Sequence, residues 1–272
     1  MLFRSWLQIG QRVAVNPSLS CGVCAFCRKG LRNQCLDMRF YGSAMRTPHV
    51  DGGFREALVC RAEQAIPIPD TMTLGEAAFT EPVAVCLHAA SRPGSLLSKQ
   101  VLVLGAGPIG TILALIARSA GAGFVAVGDV IDEPLRRVAD LGVDETINVA
   151  TEADRLAAHA EGRGTFDIVF EASGSAGATI SALDVVKPRG TIVCVGQGAR
   201  PELNMSAIVT KEINVIGSFR FDQEFPLAID YIARNRAQIR ALLTATVPAS
   251  EPTPAFDLAA DKTRSVKVHL QF

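Results

Sequence analysis

Residues Val101 to Gly110 read VLVLGAGPIG, four apolar residues running into glycines spaced G-x-G-x-x-G. A short apolar run bounded by a turn signal reads as a buried strand, and the pattern from Ile109 to Ala120 reads as a helix. Between them Gly105 makes the tight turn, Gly107 lets backbone approach a pyrophosphate, and Gly110 lets helix and strand pack closely. Pro108 and Ile109 open the helix, whose first N–H groups and dipole face the phosphates. By itself the glycine motif is weak, because glycines are common in turns. Here a second strand, Phe124 to Val127, leads to Asp129, 19 residues past Gly110, where a carboxylate binds the ribose hydroxyls of NAD. The alternative is that Asp129 only caps the next helix. Asp132 and Glu133 follow, so a 2′-phosphate would meet three acids, softened by Arg136 and Arg137. The expected cofactor is NAD rather than NADP.

The same alternation continues outward. A helix is expected near Glu133 to Leu141, and another after Val149, where Thr151 with Asp154 three residues on makes a capping-box signature. Strands follow at FDIVFE from Phe166, TIVCV from Thr191 and INVIG from Ile213. Strands separated by helices pair in parallel with right-handed crossovers. The expectation is an α/β fold with six strands in two halves, the doubly wound Rossmann plan. The Pro-rich stretch Val247 to Phe256 reads as a long surface turn.

Upstream, Cys21, Cys24, Cys27 and Cys35 form a C-x2-C-x2-C-x7-C run, four of the seven cysteines within fifteen residues. Four soft thiolates at short spacing wrap a Zn2+ ion in a closed tetrahedral site without a preformed core. Disulfides are the bland alternative. Met1 to Gly10, however, is broken by Arg4, Ser5 and Gln8 and does not read as a signal peptide, and a cytosolic compartment keeps thiols reduced. An iron–sulfur cluster fits less well, since the fourth Cys comes late and no Pro follows Cys35. A closed four-sulfur site is structural, so the chemistry lies elsewhere. Cys60, Cys86 and Cys194 read as small core residues. Lys plus Arg and Asp plus Glu number 27 each in 272 residues, and no apolar run is long enough to cross a bilayer. Neither a nucleic-acid nor a membrane partner is expected, and the expected location is cytoplasmic.

GQRVAVNP (Gly10 to Pro17), the four-Cys lobe, DGGFREALV (Asp51 to Val59) and EPVAV (Glu81 to Val85) together resemble the zinc-containing medium-chain alcohol dehydrogenase family, over essentially the whole chain. Glu81 heading E-P-x-x-V and GSFRF (Gly217 to Phe221) are similar to its polyol branch, the sorbitol dehydrogenases and their relatives. The resemblance implies an incomplete GroES-like catalytic domain with its zinc lobe over 1–84 and a Rossmann NAD-binding domain over 85–221. Residues 222–272 would return to the catalytic domain, with a last strand near Val266 to Gln271. The implied activity is hydride transfer between a secondary alcohol of an aldonate or polyol and NAD(P), by a homo-oligomer.

Site residues follow from the same resemblance. Glu81 corresponds to the carboxylate that reaches the catalytic zinc; its alternative is a charge facing a helix N-terminus. Val195, Gly196 and Gln197 match backbone that meets the nicotinamide carboxamide. Ser218, Phe219 and Arg220 match the segment that closes over nicotinamide and substrate. The Arg220 guanidinium there suits a carboxylate or a hydroxyl, or alternatively a surface ion pair. His49 is a cleft-lining candidate, whereas His88, His159 and His269 read as structural or exposed. The family's catalytic Zn2+ draws a Cys, and a His from a G-H-E motif, from the N-terminal part of its domain. This chain holds no G-H-E, and Met1 falls just after where that motif stands in the family. Glu81 is the one contact to that zinc expected here, and turnover by this polypeptide is expected to be negligible.

Overall fold

The computed structural model describes residues 7–198 and 200–272; the opening stretch with Arg4 and Ser5 lies outside the described residues. The glycine turn sits in a six-stranded sheet, and the strands in chain order are β1 (Gln100–Leu104), β2 (Phe124–Asp129) and β3 (Glu145–Asn148), then β4 (Phe166–Glu171), β5 (Val186–Cys194) and β6 (Asn214–Gly217). All neighbours are parallel, in the order β6-β5-β4-β1-β2-β3. The crossovers carry α1 (Pro108–Ser119), α2 (Asp132–Asp140), α3 (Ala153–Ala158), α4 (Ala176–Val185) and α5 (Met205–Lys211). The direction in which successive strands are added reverses between β1 and β4, the switch point at which such sheets take ligands.

The apolar runs are strands because both faces are covered: Val101, Leu102 and Val103 have no exposure, and Leu102, Ile147, Phe166, Val169 and Ile192 share one core. Register sets the strand ends level. Leu104 pairs with Gly128 and Glu171, Glu171 with Cys194, and Cys194 with Gly217. The residues one step beyond that level are therefore Gly105, Asp129, Ala172, Val195 and Ser218.

Three local features differ from the sequence reading. β3 carries little apolar signal, because only Ile147 and Asn148 of ETIN are buried. Thr151 does not cap α3. The residue before the helix is Glu152, whose carboxylate is taken by Asn148 N (3.0 Å) and Arg155 (2.8 Å). Residues Pro252–Ala260 form a helix, not a long turn, since prolines in the first turn forfeit no intrahelical bond.

Contacts divide the chain into two units. One comprises the chain through Ala84 with 220–257 and 268–272; the sheet unit comprises 85–219 with 258–267. In the first, Val13–Val15 pairs antiparallel with Ala65–Pro67, and Ser18–Leu19 with Arg39–Phe40, which closes the neck of the cysteine lobe. Its anchor is Glu76, 2 % exposed, which caps Leu74–Ala77 through Thr73 and pairs with Arg236 at 3.0 Å and Arg240 at 2.5 Å. Burial works to raise the Glu76 pKa, but the Thr73 N–H and the two guanidinium groups outweigh it and hold the carboxyl at about 2.

Candidate functional site

The glycine turn has the shape its spacing predicts. Gly105 stands at φ +108, and a Cβ there would lie 2.9 Å from Ser173 N. A Cβ on Gly110 would lie 1.7 Å from Gly105 O, so no larger residue fits behind the turn. Gly107, the N-cap of α1, has nothing within 4 Å of its Cβ position. That open side is the cradle in which backbone N–H groups can meet a pyrophosphate. Asp129 ends β2 beside it: Oδ2 accepts from Ala106 N (2.6 Å), and Oδ1 from Val130 N (2.7 Å) and Ile131 N (3.1 Å). The carboxylate thus ties the glycine turn to the next strand and does not cap α2, whose N-cap is Ile131.

A cavity of about 1090 Å³ opens here, with Gly105, Gly107, Pro108, Ile109 and Asp129 in its wall and Gly110 behind it. Its volume suits a large ligand. Asp132 and Glu133 are absent from the wall. Asp132 turns to Asn148, and Glu133 is matched by Arg136 (2.5 Å) and Arg137 (3.1 Å). Of the three acids expected to face a 2′-phosphate, only Asp129 lies in the cavity wall. The residues fit a dinucleotide, with phosphates on the α1 N-terminus and ribose at Asp129.

At the same sheet edge, Val195 and Gly196 donate to the Glu171 carbonyl at 2.8 and 2.9 Å. Glu171, 2 % exposed, accepts through Oε1 from Ser173 N (2.8 Å), Ser173 Oγ (2.5 Å) and Gly174 N (2.9 Å). The two loops press together: a Cβ on Gly196 would meet Gly174 N at 2.2 Å, and one on Gly174 would meet Gln197 O at 2.5 Å. Glu171 is a positioning residue that the sequence reading passes over. Its signal is an acid that closes an apolar strand, as Asp129 does. Ser218 N donates to Cys194 O (2.9 Å), while its buried Oγ has no hydrogen-bond partner among the described residues. Val195, Gly196, Gln197, Ser218 and Phe219 lie outside the cavity wall.

The four lobe sulfurs lie within 4.8 Å of one another, with Cys21 Sγ and Cys27 Sγ 4.0 Å apart. Tetrahedral Zn2+ with bonds of ~2.3 Å would set them about 3.8 Å apart. Backbone N–H groups of Cys21, Cys24, Cys27 and Asp37 point at sulfur, at 3.2–3.5 Å. Those of Cys27 and Leu36 bring the Cys24 thiol down to about 6, whereas burial and the neighbouring thiols push Cys27 up to about 12. Four sulfurs this close cannot all carry charge alone, and a divalent cation resolves the conflict. The residues fit zinc.

In the first unit, Arg220 stands at φ 53 with its guanidinium 4.3 Å over the Phe40 ring, bonded to Ser43 Oγ (3.0 Å) and Met45 Sδ (3.2 Å). Burial lowers its pKa and the Glu81 charge opposes that. Arg220 and Glu81 are thus brought together within the first unit. Glu81 opens the helix Thr80–Ser91, but among the described residues only the four cysteines gather closely enough to hold a metal. Cys86 instead donates to Ile109 O (3.4 Å). The residues described do not supply a three-ligand zinc site at Glu81. His159 pairs with Glu145 (2.9 Å) against Phe166, and His269 packs on Phe79; both are structural. His49 lies in an exposed loop.

Comparison with known proteins agrees with this architecture. Residues 108–234 match the family described as zinc-binding dehydrogenase, and residues 4–70 the alcohol dehydrogenase GroES-like domain. L-idonate 5-dehydrogenase (NAD(P)(+)) of Escherichia coli K12 is 39% identical over 269 residues, covering 98% of this chain and 78% of that one. The crystal structure of the L-idonate 5-dehydrogenase from E. coli K-12 superposes with a TM-score of 0.91 at 38% identity, over 97% of this chain and 76% of the other. Sorbitol dehydrogenase of Bacillus subtilis is 33% identical, covering 87% and 67% of the two chains. An alcohol dehydrogenase of E. coli CFT073, solved with NADH, gives a TM-score of 0.88 at 29% identity over 96% and 77%. With a zinc-type lobe, a dinucleotide cradle and relatives that are alcohol and polyol dehydrogenases, this chain belongs to the zinc-binding alcohol dehydrogenase family.

Proposed function

We propose that the chain binds NAD(P) in the cradle at Gly105–Gly110 and Asp129 and takes an aldonate, L-idonate or its product 5-keto-D-gluconate, before neutral polyols such as sorbitol. The observation that carries the cofactor half is the open face of Gly107 beside an anchored Asp129. The substrate half rests on 39% identity to an L-idonate 5-dehydrogenase and on the Arg220 guanidinium, which suits a carboxylate by paired hydrogen bonds. NAD(P), when bound, supplies the two-electron acceptor for a carbinol hydride. Val195, Gly196, Gln197, Ser218 and Phe219 orient its nicotinamide in this reading, with Glu171 holding their loops. Four reduced thiols and a balanced charge suit a cytoplasmic protein.

A second reading, an NAD-binding protein without turnover, draws on Glu81 having no companion ligands among the described residues. Four measurements separate the two: NADH titration by fluorescence, calorimetry of L-idonate and sorbitol on the nucleotide-loaded chain, zinc content, and NAD-linked turnover. The 272-residue polypeptide is expected to bind NADH, prefer the aldonate, hold one zinc and turn over negligibly. Joining to it a segment that bears the family's Cys and G-H-E should add a second zinc and turnover. Absence of nucleotide binding would sink both readings; robust turnover by the polypeptide alone would sink the second.

A further inference from the structure

The sheet unit includes ten residues from the far end of the chain, 258–267, and they form part of the cavity wall through Ala259, Lys262, Ser265 and Val266. Their conformation is held locally: Asp261 Oδ1 accepts from Thr263 N (3.0 Å) and Thr263 Oγ1 (2.6 Å), and Ser265 Oγ donates to Leu258 O (2.6 Å). Arg137 of α2 donates to Thr263 O at 3.2 Å, which places this turn against the helix that follows Asp129.

Three cations line the cavity: Arg163, Lys211 and Lys262. Arg163 is committed to Thr210 O (2.9 Å), and Lys211 to the carbonyls of Leu183, Asp184 and Val186 at 2.8–3.1 Å. Arg136 and Arg137 are spent on Glu133. Lys262 is exposed and makes no hydrogen bond or ion pair among the described residues. The wall also carries two carboxylates, the exposed Asp184 and Asp129, whose charge is already shared by three N–H donors. At the end of β2 the cavity therefore meets one partly satisfied acid, and its wall holds one uncommitted base, a weaker barrier to a 2′-phosphate than three acids in sequence suggest. A nearby cation is what allows such sites to accept that phosphate.

We propose that Lys262 is the residue that admits NADP beside NAD: it pairs with the 2′-phosphate of NADP, whereas Asp129 serves the free 2′-hydroxyl of NAD. The proposal rests on the dinucleotide reading of this cavity. Fluorescence titration of the full chain with NADPH and NADH tests it in wild type, Lys262→Ala and Lys262→Glu. Lys262→Ala should weaken NADPH about fivefold, the scale of one solvent-exposed ion pair, and leave NADH within twofold. Lys262→Glu should weaken NADPH further, and added salt should narrow the wild-type difference from Lys262→Ala. Unchanged melting temperatures establish that the variants fold. Equal losses for both nucleotides would overturn the proposal, because Lys262 would then touch a part they share; so would no change in either. A folded wild type that binds neither nucleotide overturns the dinucleotide reading itself and this proposal with it.

Discussion

Asp129 is the residue at which structure and recognition meet, since its carboxylate holds three backbone N–H groups and also faces the cavity. Replacing it with Ala frees Ala106 N, Val130 N and Ile131 N as well as removing the ribose acceptor. Asp129→Ala is expected to weaken NADH about tenfold or more, to narrow the gap between NADH and NADPH, and to lower the melting temperature. A variant that binds NADH as tightly as wild type would show that the carboxylate does not meet the ribose. Glu171 acts one strand over, through Ser173 and Gly174. Glu171→Ala should weaken NADH but spare ADP, which has no nicotinamide, and Glu171→Gln should recover part of the loss because it keeps one acceptor oxygen. Equal losses for NADH and ADP would reduce Glu171 to a general structural role. The place of Asp129 beside the glycine turn is legible from its spacing to the glycines. That of Glu171 is not, since an acid at a strand end has many bland explanations.

At the scale of elements, the cysteine lobe and the Glu76 anchor stabilise the first unit by different means. The lobe has two short helical turns and none of its cysteines is fully buried, so its ligands must hold it. Wild type should carry one zinc per chain, and Cys24→Ser should lose that zinc and gain protease cleavage between Pro17 and Met38. Equal zinc in both proteins would refute the site. Glu76 is ionised in the folded state down to a pKa of about 2, below the ordinary carboxyl value of ~4.3. Its contribution is therefore complete above the unfolded pKa and is lost as pH falls from about 4 toward 2. The melting temperature of wild type should drop across that window more steeply than that of Glu76→Gln. At neutral pH Glu76→Ala should cost about 1–3 kcal/mol, because it removes the acceptor of the Thr73 N–H and of two partly exposed guanidinium groups. Denaturant unfolding at pH 7 and pH 3 reads both effects, and parallel pH profiles of wild type and Glu76→Gln would refute the first.

At the scale of the molecule, β6 is the outer strand of the sheet, with Val215 38% exposed. On the adjacent α5, Met205 and Val209 are 62% and 69% exposed. An open strand edge beside exposed apolar side chains seldom stays unpaired. A homo-oligomer is expected, and Val215→Lys should shift it toward monomer. Light scattering that finds wild type monomeric at micromolar concentration would refute this.

The parts legible in the sequence are those whose physics is local. Gly105, Gly107 and Gly110 specify their turn because steric room and φ are properties of a few adjacent residues, and Cys21 to Cys35 specify a metal site because their ligands lie within one short loop. Alternating strands and helices specify the parallel sheet, since each apolar run is long enough to be seen. β3 escaped because Ile147 alone gives little signal, and Pro252–Ala260 because prolines mark both turns and helix starts. The tertiary structure alone brought Glu76 to Arg236 across 160 residues, drew Asp132 and Glu133 away from the cavity, and placed Lys262 in its wall. Charged side chains far apart in sequence look alike until packing gives one a buried partner and leaves another free. Their roles belong to the fold, not to the spacing.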